Sequence, residues 1–156
     1  MGIAATFRNG AISAQVRSFQ ERVERAAVFQ LQYLGEKLAS YAKDQHNYTD
    51  RTGNLTNSIG YAVVHGSKIV TFGGASQSGE GVENALNVAT QYAGQCTSAY
   101  SLVVVAGMNY AAYVEAKGYN VILPAELKAR TDFPQTMLKL QSMAREKARQ
   151  LFGAAL

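Results

Sequence analysis

The sequence predicts an α+β domain, with a long N-terminal helix and a C-terminal helix packed on a mainly antiparallel sheet of about four strands. Three observations predict it. Apolar residues recur at steps of three or four from Ile12 to Tyr41, which is one face of a helix. Short Val- and Ile-rich runs separated by turn residues fill the middle of the chain. A second helical stripe runs from about Pro134 to Leu151. With 156 residues, 47% hydrophobic and 17% charged, the chain suits a single domain, 1–156, whose core needs no disulfide or metal staple.

The elements follow in order. Residues 1–10, with Gly2 and Gly10, read as a flexible arm. The stripe Ile12, Val16, Phe19, Val23, Ala27, Leu31, Leu34, Leu38, Tyr41 makes one helix to about Lys43, roughly 45 Å long at 1.5 Å per residue. Ser13 is a candidate cap. Gly35 lies inside the helix and weakens it by about 1 kcal/mol relative to Ala. The polar stretch Asn47–Tyr61, NYTDRTGNLTNSIGY, comes next, and Thr52 can cap a short helical turn through Leu55 to Ser58. Tyr61–Val64 and Ile69–Phe72 form a hairpin around His65–Lys68.

Gly73–Gly81, GGASQSGEG, reads as a flexible loop. A helix follows from Val82 to about Tyr92. Ala99–Met108 reads as a buried central strand, because its Val-rich run is apolar at successive positions. A helical turn spans Tyr110–Ala116, Gly118 breaks it, and Asn120–Leu123 makes a last strand that Pro124 stops. Pro134 suits the first turn of the closing helix.

The formal charge is +4. Residues 1–58 carry seven Lys/Arg and five Asp/Glu, residues 59–123 two and three, and residues 124–156 six and three, so the surplus sits on the terminal helical regions. A solvated helix face accounts for it, with cations favoured near a helix C-terminus. The alternative is a small basic nucleic-acid-binding module using Arg17, Arg22, Arg25, Arg145, Lys147 and Arg149, which requires those cations to converge on one face. The lone Cys96 fits a reducing compartment. No signal-peptide pattern and no membrane-length apolar window appear, so the expected setting is a cytoplasm with no membrane partner.

Chemistry leaves little trace. His46 and His65 lack ligand-spaced partners. Asp44, His46 and Asp50 are the nearest thing to an acid–base or metal cluster, but their spacing matches no ligand rule. Cys96 has no basic neighbour in sequence, and Ser76 and Ser78 have no base. The glycines of 73–81 lack a phosphate-binding lysine. The expectation is therefore no catalytic, cofactor-binding or metal-ligating residue, and no enzyme. Tyr110, Tyr113 and Tyr119 gather around Glu115 and suit an interface or the core.

Two segments then carry a resemblance. DRTGNLTNSIGYAV, Asp50–Val64, resembles the R-T-G-x-L-x-x-S-I segment of the tail-completion, or head–tail joining, proteins of long-tailed phages and prophages. VVVAGMNYAAYVEAKGYNVI, Val103–Ile122, resembles that family's V-G…Y-A-x-Y-V-E-x-G stretch through Gly107, Tyr110, Ala111, Tyr113, Val114, Glu115 and Gly118. In place of the family's R-P-F-L entry to the last helix stands PAELKARTDFPQTML. The resemblance implies a virion structural protein without catalysis. It implies a homo-oligomeric ring, six-fold, between head connector and tail, with DNA passing through it without sequence-specific binding. The implied partners are a head-closure or adaptor protein and a tail-terminator or tail-tube protein. The loop Asp50, Arg51, Thr52, Gly53, Asn54, Leu55, Ser58, Ile59 would then be a structural corner. Thr52 and Asn54 would hold backbone N–H groups, Gly53 would take a positive φ, and Leu55 and Ile59 would pin the corner to the core. Arg51 would brace Asp50 or Glu115, or reach a neighbouring subunit.

Overall fold

The computed structural model describes residues 9–76 and 79–153. The expected flexible arm lies outside these except for its last two residues, and Gln77 and Ser78 of the expected loop lie outside them too.

The apolar stripe forms α1, Asn9–Asp44, about 54 Å long at 1.5 Å per residue. A short α2, Asn54–Asn57, leads into strand β1, Ile59–His65. Strand β2, Lys68–Gly73, returns antiparallel to it. The turn between them is the two residues Gly66 and Ser67, both at positive φ (56° and 68°), the backbone that matches the twist of a tight hairpin. Helix α3, Glu80–Ala93, follows, and then strand β3, Tyr100–Ala106, which pairs antiparallel with β1. The sheet order is β2-β1-β3. A single-turn α4, Ala111–Ala116, leads to α5, Leu123–Phe152.

The sheet lies between two layers. On one side Tyr61, Val63 and Ile59 of β1 pack against Leu31, Leu34 and Leu38 of α1. On the other, Ala62 of β1 and Val105 of β3 pack against Ala85 and Ala89 of α3. Helix α5 runs antiparallel along α1. The Phe19 and Phe152 rings meet edge-on at 5.6 Å, and Lys37 Nζ lies 3.0 Å from Asp132 Oδ2.

Gly35 has a packing reason. A Cβ there would lie 2.2 Å from the Tyr61 ring, so the glycine lets α1 approach the sheet. The helix-propensity loss is the cost of seating that ring, which is buried and donates its hydroxyl to Glu36 Oε1 at 3.1 Å. Burial, with the hydrogen bond and charge of Glu36, pushes the Tyr61 hydroxyl up to about 12.

Four expectations need correction. The described sheet has three strands, not about four. The segment expected to be the fourth, Asn120–Leu123, instead enters α5, with Pro124 in the first helical turn, where its missing N–H costs nothing. Pro134 does not start the last helix but lies inside it, which leaves the Arg130 carbonyl without its usual N–H. The Val-rich run is not the central strand. It is the edge strand β3, apolar on both faces because α1 and α3 sandwich the sheet. Helix α3 also shortens the expected loop of 73–81, since β2 extends to Gly73 and the helix starts at Glu80.

Candidate functional site

The two segments that carry the resemblance meet. Ser58 ends the α2 turn, is 1% exposed, and donates its hydroxyl to the Leu55 carbonyl at 2.7 Å. Its Oγ accepts from the backbone N–H of Gly107 (3.1 Å) and of Met108 (3.3 Å). The Gly107 N–H also points to the Ser58 carbonyl at 3.2 Å. One hydroxyl thus satisfies one buried and one half-buried backbone N–H, 49 and 50 residues away in sequence. Gly107 is required there, because a Cβ would fall 1.7 Å from the Gly81 carbonyl at the start of α3. A Cβ on Gly81 would in turn meet Ser58 Cβ at 2.8 Å. The joint Ser58–Gly107–Gly81 therefore fixes α2, β3 and α3 against each other at backbone distance.

The corner before it is built by Asp50. The Asp50 carboxylate accepts from the Thr56 N–H at 2.8 Å. Partial burial alone would raise this carboxyl. The Thr56, Gly53 and Leu55 N–H groups and the Thr56 hydroxyl outweigh that and hold it below its ordinary range. Thr52 Oγ1 accepts from the Asn54 N–H at 3.3 Å, and Gly53 sits at φ 73°. Leu55 and Ile59 are buried in the core beneath α1. The Asn54 side chain holds no backbone N–H among the described residues, contrary to expectation. Asn47 does that work at the other end of the stretch, where its Oδ1 accepts from the Asn120 N–H at 2.7 Å. Arg51 is exposed and braces neither Asp50 nor Glu115 among the described residues.

Glu115 turns away from the tyrosines. Gly118, at φ 89°, closes α4 with the Gly118 N–H on the Glu115 carbonyl and the Tyr119 N–H on the Val114 carbonyl. The chain reverses, and Glu115 Oε1 then accepts from the N–H groups of Val121 (3.4 Å), Ile122 (3.0 Å) and Leu123 (2.6 Å). A carboxylate at the N-terminus of α5 meets both the unpaired N–H groups and the positive end of the helix dipole. Tyr110 and Tyr119 are exposed, and Tyr113 is 65% exposed with Lys117 Nζ 5.2 Å from its ring centre.

The side chains weighed for catalysis are not brought together. His46 Nδ1 lies 2.5 Å from the Lys43 carbonyl, while Asp50 faces α2 and Asp44 is exposed. The His65 ring stacks on Tyr100 at 4.6 Å. Neither histidine shares a hydrogen bond with Ser58 or Cys96, and the Cys96 thiol points to the Tyr92 carbonyl at 3.4 Å. Among the described residues no three His, Cys, Asp or Glu side chains cluster to hold a metal ion. No described helix is long and apolar enough to cross a membrane. The arrangement can brace backbone and present surface.

Charge gathers at one end. Residues 9–27 of α1 and 139–153 at the end of α5 hold seven Lys/Arg against three Asp/Glu, while the rest of the chain balances, and the two helices meet there from Phe19 onward. Arg22 and Lys147 line the same groove between the two helices, whereas Arg145 and Arg149 do not line it.

The sequence missed Gly81 and Asn47 as partners of the joint and the corner. A glycine at a helix start and an asparagine in a polar loop were the available signals, but both are common for local reasons. Set against known proteins, the chain matches no family model, no curated protein and no solved structure.

Proposed function

We propose that this chain is a non-enzymatic structural subunit of the neck or tail of a long-tailed phage virion. It forms a ring, six-fold, between the head connector and the tail, through which DNA passes. Its neighbours are copies of itself, a head-closure or adaptor protein, and a tail-terminator or tail-tube protein. The chain assembles in the host cytoplasm and ends in the virion. The observation that carries this reading is the joint between the two resembling segments, Asp50–Val64 and Val103–Ile122, through Ser58, Gly107 and Met108. Asp50, Ser58 and Gly107 of these motifs are spent on bracing backbone. That suits a building block more than a reaction centre. Exposed aromatic side chains at Tyr110, Tyr113 and Tyr119 supply contact area. The test is deletion of the gene from a phage or prophage that encodes it. Filled heads and unattached tails are expected, with joining restored by a plasmid-borne copy. Infectious particles at wild-type yield without the gene rule the reading out.

A second reading, a basic nucleic-acid-binding module, draws on the concentration of net positive charge in the paired ends of α1 and α5. It requires binding to duplex DNA at low salt that falls steeply as salt rises. A flat, negligible signal at low salt removes it.

A further inference from the structure

The two edges of the sheet are unlike. Strand β3 pairs with β1 alone, so its outward N–H and C=O groups have no backbone partner among the described residues. Its sequence, YSLVVVA, has no proline and no charge to blunt that edge. Beside the edge runs an apolar groove of about 340 Å³. Val88 and Tyr92 of α3 form one wall, Ala112 of α4 and Ile122 the other, with Val104 and Ala106 between them. A strand laid there would meet apolar side chains on both of its faces. At the opposite edge, β2 carries a bulge. Val63 pairs with Thr71 and Val64 with Ile69, which leaves Val70 as the extra residue. Val70 is 48% exposed, flanked by Ile69 and Thr71.

We propose that β2 of one copy, with Val70 as its projecting apolar side chain, adds to the β3 edge of the next copy and seats in that groove. The partner is a second copy because the complementary piece lies on the same chain, at its other edge. The contact joins two different surfaces, so it is head-to-tail and propagates to a closed ring or a filament. The inference rests on the ring-forming subunit proposed above and names the surface that forms the ring. The strand count adds a constraint. In β2-β1-β3, all antiparallel, the two edge strands run in the same direction. Rotation about an axis along the strands preserves that direction, so each junction is parallel while every pairing within a subunit is antiparallel.

The test uses two variants of the full chain, Val70→Lys on the β2 edge and Ala112→Lys in the groove wall. Both positions are exposed, so each variant should fold, and the two should share one cooperative urea transition, with wild type shifted upward only by its assembly. Light scattering after size-exclusion chromatography should show wild-type assemblies larger than a dimer and each variant as a monomer. An equal mixture should give a one-to-one pair and nothing larger, because Val70→Lys retains a working groove and Ala112→Lys retains a working edge. Wild type that stays monomeric, Val70→Lys that still assembles, or a mixture that does not pair overturns the proposal. So does a wild-type dimer broken by Ala112→Lys alone, which would place β3 against β3. Assembly as expected, together with intact virions after gene deletion, would remove the neck reading and leave this contact standing.

Discussion

The Glu115 carboxylate accepts the backbone N–H of Leu123 at 2.6 Å and with it anchors the first turn of α5. Glu115→Ala removes an acceptor for three N–H groups and should destabilise the fold by about 1–2 kcal/mol. Glu115→Gln, which keeps an oxygen but not the charge, should cost less. Urea unfolding followed by circular dichroism measures both. Equal stability of Glu115→Ala and wild type would remove this capping role.

Ser58 should be sensitive for its size. Ser58→Ala leaves the Gly107 N–H its bond to the Ser58 carbonyl but strips the Met108 N–H of its bond to the Ser58 hydroxyl. The expected loss is about 1 kcal/mol, the lower end of the range for a polar group left unsatisfied, because the Met108 N–H is half-buried. Gly107→Ala should cost more, because the added methyl meets the Gly81 carbonyl and the Ala85 N–H together. Thermal melts of the two variants should rank in that order.

Gly35 gives a prediction of opposite sign to the propensity scale. In an exposed helix, Gly→Ala stabilises by about 1 kcal/mol. Here the new Cβ lands on the Tyr61 ring, so Gly35→Ala should lower stability. A raised urea midpoint for this variant would mean that the ring moves aside freely.

Tyr61 makes stability depend on alkaline pH. Folding raises its hydroxyl from 10.0 to about 12. Between those values the folded phenol keeps a proton that the unfolded chain has lost. The contribution is therefore complete below pH 10, declines as pH rises, and is gone above about 12. Tyr61→Phe loses the bond to Glu36, costs about 1 kcal/mol at neutral pH, and should show a shallower decline across that window. Stability measured from pH 9 to 12 in both proteins tests the difference.

Much of the fold could be read from periodicity. The stripe from Ile12 to Tyr41 marks α1 because a single helix face is buried along its inner half. The hairpin was visible in Val and Ile runs around Gly66. What escaped reading had physical causes. Val121, Ile122 and Leu123 are apolar in succession, and a run that short does not separate strand from helix. Pro124 ends a strand or opens a helix equally well, and the Glu115 carboxylate, placed by the reversal at Gly118, favours the helix by accepting its first N–H groups. The run at Val103–Val105 is buried from two sides, which says nothing about its place in the sheet. Asp50, Gly53 and Leu55 could be assigned to a corner from residue type. The bond from Ser58 to Gly107 spans 49 positions, and nothing local signals it.

The pairing of Phe19 with Phe152 has a mechanical consequence. The α1 turn at Phe19 and the end of α5 lie side by side, so a load that draws them apart meets the interhelical contacts one after another, like a zip. A load along the strands instead meets the β1 ladders with β2 and β3 all at once, in shear. The subunit is therefore anisotropic under force, compliant where the two helices end and stiff along its strands.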